Sequence, residues 1–231
     1  MSNAMPMSCR GRTRETVNYL KAMYFDEPEW TPCHVSLMPA TWMKYREDLE
    51  EIVLAHPRIF PHHTKGSVDF DFPTFANPLY EVGRHTDCWG TVWENIERGL
   101  DSQPVGFPLA DWAAFEHYTP PDPLTDDIFG PRNWAAAEKH LERAKRSGGV
   151  GHGGGLPHGF FYLRLCYLRG FENLMMDIAT ENSRLPALIE MVEAYNRAVI
   201  RKYIELGAEM MGFGEDLGLQ TALPMSPADW R

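Results

Sequence analysis

The feature that most constrains the fold is a long helical pattern that leads directly into a short apolar segment. Apolar residues recur at helical spacing from Leu185 to Tyr203, with Pro186 in the first turn and Gly207 after the last turn. The short, largely apolar segment Glu209–Phe213 then indicates a strand. A long helix followed by a short apolar strand is the αβ step of a parallel sheet. We therefore predict an α/β fold with parallel strands.

Two adjacent acids, Glu215 and Asp216, follow this predicted strand and lie between Gly214 and Gly218. Carboxylates in a loop after a strand can orient a substrate, hold a metal or, where burial raises their pKa, act as acid and base. The alternative is that one acid caps a helical turn while the other is solvated. The spacing leaves both interpretations open, and it makes the two acids the first catalytic candidates.

Composition and charge exclude several classes of function. The net charge is −10 and no basic block is present, so we expect neither nucleic-acid binding nor attachment to anionic membranes. No apolar run approaches the ~20 residues that a membrane helix needs. The four cysteines form no C-x-x-C pair, which argues against a zinc ribbon or a redox dithiol. Reduced thiols favour a cytoplasmic location.

Other elements follow from apolar spacing and from helix-start and turn residues. The pattern predicts helices at 11–25, 41–55, 94–99 and 133–146, and strands at 33–38 and 150–152. The glycine tract at 148–155 lacks the register of a nucleotide-binding loop. It ends in a turn before an aromatic helix, and we expect His158 in that turn to lie on the substrate side.

The helical segment after this turn carries two tyrosines and two arginines, namely Tyr162, Arg164, Tyr167 and Arg169. These side chains could meet a carboxylated ligand. They could equally belong to a core helix whose polar ends reach the surface.

The order of several motifs resembles the uroporphyrinogen decarboxylase superfamily. That group comprises haem-pathway decarboxylases and related methyltransferases, including those that move methyl groups between corrinoids and coenzyme M. The similar stretches include Arg12-Thr13-Arg14-Glu15, Asp87-Cys88-Trp89-Gly90, Gly106-Phe107-Pro108-Leu109-Ala110-Asp111-Trp112, Leu168-Arg169-Gly170-Phe171-Glu172 and Gly214-Glu215-Asp216-Leu217-Gly218. The resemblance spans nearly the whole chain. It implies a (β/α)8 TIM barrel with an N-terminal helical extension and an active site at the carboxyl ends of the strands.

The resemblance also implies roles for individual residues. It places Tyr167 near the active-site tyrosine of the decarboxylases, and Glu215 and Asp216 at a turn that faces the substrate. We therefore assign Glu215, Asp216 and Tyr167 as catalytic candidates. The substrate-binding candidates are His34, Asp87, His158 and Gln220, and no residue is assigned as a metal ligand.

One departure from the family concerns arginine. The decarboxylases follow their first strand with arginines that clamp propionate carboxylates, for which bidentate arginine is the natural partner. The corresponding stretch here, residues 35–42, contains no arginine. A corrinoid-linked, methyltransferase-like enzyme therefore fits better, and a tetrapyrrole decarboxylase is the alternative.

The chain boundaries lead to further expectations. Residues 1–6 begin like an expression-vector leader, and residues 7–231 form the family-like domain. Ser226 and Pro227 predict a helix start, and because the family continues beyond that helix, we expect only about the first half of the barrel here.

The zinc ligands of the thiol-activating methyltransferases would belong to the other half of the barrel. We thus expect no cofactor on this chain alone, with zinc and a corrinoid protein belonging to a full-length parent. The expected partners are a small-molecule substrate or a corrinoid protein, together with a homo-oligomeric copy or a complementing chain. A non-catalytic half-barrel that needs a partner chain is the remaining alternative.

Overall fold

A computed structural model describes residues 8–75, 77–128, 130–154 and 156–230. Residues 1–6, interpreted above as a leader, lie outside the described residues. Within these ranges the helices are α1 (Arg14–Met23), α2 (Pro39–Ala55), α3 (Trp134–Arg146), α4 (Tyr162–Arg169), α5 (Phe171–Ala179), α6 (Leu185–Glu205) and α7 (Pro227–Trp230). The strands are β1 (Gly83–Thr86), β2 (Val92–Asn95), β3 (Gln103–Gly106), β4 (Asp126–Asp127), β5 (Gly130–Pro131), β6 (His152–Gly153) and β7 (Met210–Met211).

Side-chain caps begin three of these helices at positions that the sequence pattern indicates. The Thr13 hydroxyl accepts a backbone hydrogen bond at the start of α1, and the Asn133 side chain does the same for α3. At α7 the Ser226 hydroxyl accepts the N–H groups of Ala228 and Asp229, each at 3.2 Å. Each cap satisfies N–H groups that have no partner within the helix. The helices predicted at 11–25 and 133–146 and the helix start at 226 are confirmed.

The core lies among three consecutive helices near the end of the chain. α4 and α5 meet at Gly170, whose φ of +83° is a backbone conformation that favours glycine. On α6, the side chains of Leu188, Val192 and Val199 are fully buried and follow one another at helical spacing. They join the same apolar cluster as Leu168 of α4. The long amphipathic helix predicted from the sequence is therefore confirmed, with its apolar stripe in the core.

The strands form three small sheets. β1, β2 and β3 pair antiparallel in that order, and β4 pairs antiparallel with β5. β6 and β7 are parallel, with His152 opposite Met210 and Gly153 opposite Met211, and α4, α5 and α6 connect them. The predicted αβ step into a parallel strand is present, although β7 is shorter than predicted and β6 begins two residues later than predicted, at His152. None of the described sheets closes into a barrel, and the TIM barrel stays a prediction.

Two predicted elements are wrong. Residues 33–38 form no strand and are mostly exposed, because no described strand pairs with them. The short helix predicted at 94–99 is replaced by β2, which continues to Asn95 before a turn. β2 pairs with β1 on one side and β3 on the other, and pairing with two neighbours overrides a local helical preference.

Candidate functional site

The carboxyl ends of β6 and β7 lead into two loops that carry several of the predicted site residues. His158 lies in the loop after β6, and Glu215 and Asp216 lie in the loop after β7. Because the two strands are parallel, both loops leave the same edge of the sheet, where ligands of α/β folds bind. The N–H of Gly159 donates to the carbonyl oxygen of Gly214 at 2.9 Å and joins the two loops.

Glu215 binds the amino end of α4. Its Oε2 atom accepts the N–H groups of Phe161 at 2.9 Å and of Tyr162 at 3.0 Å, and its Oε1 atom accepts the N–H of Leu163 at 3.0 Å. α4 has no side-chain cap of its own, so this carboxylate supplies the missing acceptors and complements the positive end of the helix dipole. Glu215 therefore anchors the loop after β7, and most of its hydrogen-bonding capacity is already used.

Asp216 and His158 form an exposed pair beside this anchor. Nε2 of His158 lies 3.4 Å from Oδ1 of Asp216, with side-chain exposures of 58% and 71%. The imidazole packs against Gly214, where an added Cβ would lie 2.6 Å from its Cδ2 atom. A larger residue at this position would require the ring to move. An exposed histidine next to a carboxylate can take up and release protons on a bound molecule.

Tyr167 reaches the same edge from α4. Its ring packs edge-on against Trp93, with centroids 4.8 Å apart, and its hydroxyl lies over Gly159, where an added Cβ would come within 3.2 Å of the oxygen. The hydroxyl forms no hydrogen bond with another described residue. Burial raises the pKa of Tyr167 to about 12, so the phenol keeps its proton at neutral pH and is a hydrogen-bond donor.

Asp87 lies behind Tyr167 and is fully buried. Oδ2 of Asp87 accepts Nη1 of Arg164 at 3.1 Å and Nε1 of Trp93 at 3.0 Å, and Oδ1 accepts two backbone N–H groups. The Arg164 guanidinium in turn lies 5.4 Å from the ring centroid of Tyr167. This placement makes Asp87 an anchor for Arg164, which packs against Tyr167, and it leaves no exposed carboxylate for direct contact with a substrate.

The structure does not bring the remaining two candidates to this edge. His34 lies in the exposed segment before α2, and Gln220 lies in an exposed turn after the acidic pair. Neither side chain takes part in a hydrogen bond, ion pair or ring contact with another described residue. Their substrate-binding roles stay predictions.

One residue that positions this edge, Asn196, was not indicated by the sequence patterns. Nδ2 of Asn196 donates to the carbonyl oxygen of Phe160 at 2.8 Å and so fixes the loop that carries His158. Asn196 is a buried polar side chain between Val192 and Val199 on the apolar face of α6. A polar residue within an apolar stripe is the signal that could have identified it, because a buried amide requires partners.

Among the described residues, no group of three or more histidine, cysteine, aspartate or glutamate side chains is arranged to hold a metal ion. The His158–Asp216 pair brings together two such donors, fewer than the three protein ligands of catalytic zinc sites. The edge therefore does not fit zinc by itself. In the same part of the chain, no helix is both long enough and apolar enough to cross a membrane.

Comparisons with known proteins return no relatives. No family model, no curated protein and no solved structure matches the chain.

Proposed function

We propose that the edge formed by His158, Asp216 and Tyr167 is an enzyme active site that binds a small molecule and transfers protons to and from it. The observation that carries this proposal is the Tyr167 hydroxyl, which has no hydrogen-bond partner among the described residues and lies beside the exposed His158–Asp216 pair. In this proposal Tyr167 donates a hydrogen bond to the substrate, and His158 accepts the proton that the substrate loses. Asp216 orients the imidazole, and Glu215 holds the loop in place.

The reaction that we propose is methyl transfer by a member of the uroporphyrinogen decarboxylase superfamily, with a corrinoid protein as partner and a cytoplasmic location. The order of motifs supports the family. The state of the arginines on α4 supports the methyltransferase-like branch, because Arg164 and Arg169 are both buried and paired with Asp87 and Asp177. Neither is free to clamp the propionates of a tetrapyrrole, as the alternative decarboxylase would require.

The test is an anaerobic assay with methylcobalamin and 2-mercaptoethanesulfonate. Methyl transfer moves the methyl group from cobalt to the thiolate sulfur and leaves the bonding electron pair on cobalt, so cob(I)alamin forms with the thioether and is followed by its absorbance. We expect turnover above the protein-free rate, reduced by a factor on the order of 10² in His158→Ala and in Tyr167→Phe. The exposed variant His117→Ala is the matched control and should keep the full rate.

A parallel assay with uroporphyrinogen separates the alternatives. Loss of carboxyl groups from uroporphyrinogen, together with no turnover of methylcobalamin, would replace the methyl-transfer proposal by the decarboxylase. Activity that is unchanged in both His158→Ala and Tyr167→Phe would overturn the site itself. The absence of turnover with either substrate would overturn both reactions for this chain and would favour the non-catalytic half-barrel that needs a partner chain.

A further inference from the structure

A second concavity lies on the other side of α4, between α5, the first turns of α6 and α7. Its volume is ≈ 390 Å³, within the range of about 300–1,000 Å³ found for small-molecule sites. The wall is largely apolar and includes Leu165, Leu174, Ile178, Ile189, Met225 and Trp230. These dimensions suit a ligand with one ring or a short aliphatic chain.

This cavity is distinct from the candidate active site. Tyr162 and Leu165 of α4 line the cavity, whereas Arg164 and Tyr167 contact each other near the β6–β7 edge. At about 3.6 residues per turn, these two pairs project from opposite sides of α4. Ligand binding in this cavity therefore does not depend on the proposed function.

The charged side chains among the described residues that line the cavity are all acidic. They are Asp177, Glu181 and Asp229. Asp177 is already engaged, since its Oδ1 and Oδ2 atoms accept Trp112 and Arg169. Glu181 and Asp229 are exposed at the rim. Oδ2 of Asp229 accepts the N–H of Ser226 at 3.3 Å, and neither acid forms an ion pair with another described residue. A cation held at the rim would meet two carboxylates, whereas an anion would be repelled by both.

We propose that this cavity binds a small apolar amine. The apolar body fills the space between Leu165, Ile178 and Ile189, where burial of its surface supplies most of the affinity. The ammonium group lies at the rim between Glu181 and Asp229, where it keeps part of its hydration and gains two favourable charge interactions.

The test uses two probes of similar size and opposite charge, 4-phenylbutylamine and 4-phenylbutyrate, each titrated by ligand-detected NMR at low ionic strength. We expect the amine to bind at least about tenfold more tightly than the carboxylate. The double variant Glu181→Gln/Asp229→Asn should weaken amine binding about three- to tenfold and reduce the difference between the probes. Glu190→Gln, an exposed change on α6 outside the cavity, is the matched control and should leave both affinities unchanged.

Two further variants test the location. Ile178→Trp and Ile189→Trp each place an indole in the cavity at partly buried positions, and each should abolish amine binding while far-UV circular dichroism stays native. Equal affinity for the two probes would overturn the proposal. Amine binding that persists in both tryptophan variants would also overturn it, as would no binding up to about 10 mM. If either tryptophan variant unfolds, the charge variants, whose changes are exposed, decide the outcome.

Discussion

Replacing Glu215 by alanine removes the acceptors of three backbone N–H groups at the amino end of α4. A hydrogen bond to a charged group contributes about 1.5–3 kcal/mol, and loss of a helix cap costs about 0.5–2 kcal/mol. The three bonds share one carboxylate and one helix end, so their contributions do not add. Glu215 is also only partly buried, and water reaches some of the released donors. We expect the free energy of unfolding to fall by about 2–3 kcal/mol.

Two companion variants separate the hydrogen bonds from the charge and from general surface effects. Glu215→Gln keeps one acceptor oxygen and loses the negative charge beside the helix dipole, so it should cost about half as much as alanine. Asp216→Ala removes the neighbouring acid, whose side chain is 71% exposed, and should change stability by less than about 0.5 kcal/mol.

The measurement is urea unfolding followed by far-UV circular dichroism, with linear extrapolation to water. The expected order of stability is wild type and Asp216→Ala first, then Glu215→Gln, then Glu215→Ala. A Glu215→Ala protein within about 0.5 kcal/mol of wild type would refute the capping role. An Asp216→Ala protein as unstable as Glu215→Ala would refute the distinction between the two acids.

Arg164→Met should destabilise the protein by about 3 kcal/mol in the same urea assay, because it leaves Asp87 buried without its cation; a loss below about 1 kcal/mol would contradict this reasoning. Burial raises the pKa of Cys88 to about 12, so at pH 8 it should react with iodoacetamide at least about a hundredfold more slowly than the exposed Cys33, as measured by mass spectrometry of labelled peptides. Burial tends to raise the pKa of Glu209, but the hydrogen bond from Arg12 outweighs it and lowers the pKa below its ordinary value of 4.5. Its contribution to stability is therefore present above pH 4.5 and is lost as the pH falls through the lowered pKa, and Glu209→Gln should show a smaller fall in the urea midpoint over that acid range.

Local sequence patterns predicted the helices well and the strands poorly. α3 and α6 carry both a repeating apolar stripe and end signals within their own residues, so their positions depend little on the rest of the chain. The segment at 33–38 is apolar and follows a proline, but a strand exists only where another strand pairs with it. β2 has such partners on both sides. Whether a segment has a strand to pair with depends on residues far away in the sequence. The local spacing of apolar residues carries no information about them.

The location of the candidate site was predictable because it follows from topology. A strand that ends in a loop at the edge of a parallel pair brings that loop next to the loop of its partner strand. This reasoning, applied to the segment at 209–213, led to the acidic pair, and β7 does lie beside β6. The roles of the two acids were not predictable, since the donors that Glu215 binds begin at Phe161, 54 residues earlier in the chain. The spacing gives both acids the same interpretation. In the structure Glu215 caps α4, whereas Asp216 is exposed.

That separation places one short helix between the two proposed sites. α4 receives Glu215 at its amino end, presents Tyr167 toward the β6–β7 edge and presents Leu165 toward the apolar cavity. A carboxylate that fixes the amino end of α4 therefore fixes the walls of both sites at once. It follows that Glu215→Ala should weaken binding at the two sites together, whereas His158→Ala should affect only the edge and Ile178→Trp only the cavity. Binding of 4-phenylbutylamine that is unaffected by Glu215→Ala, in protein that remains folded, would show that the cavity does not depend on this cap.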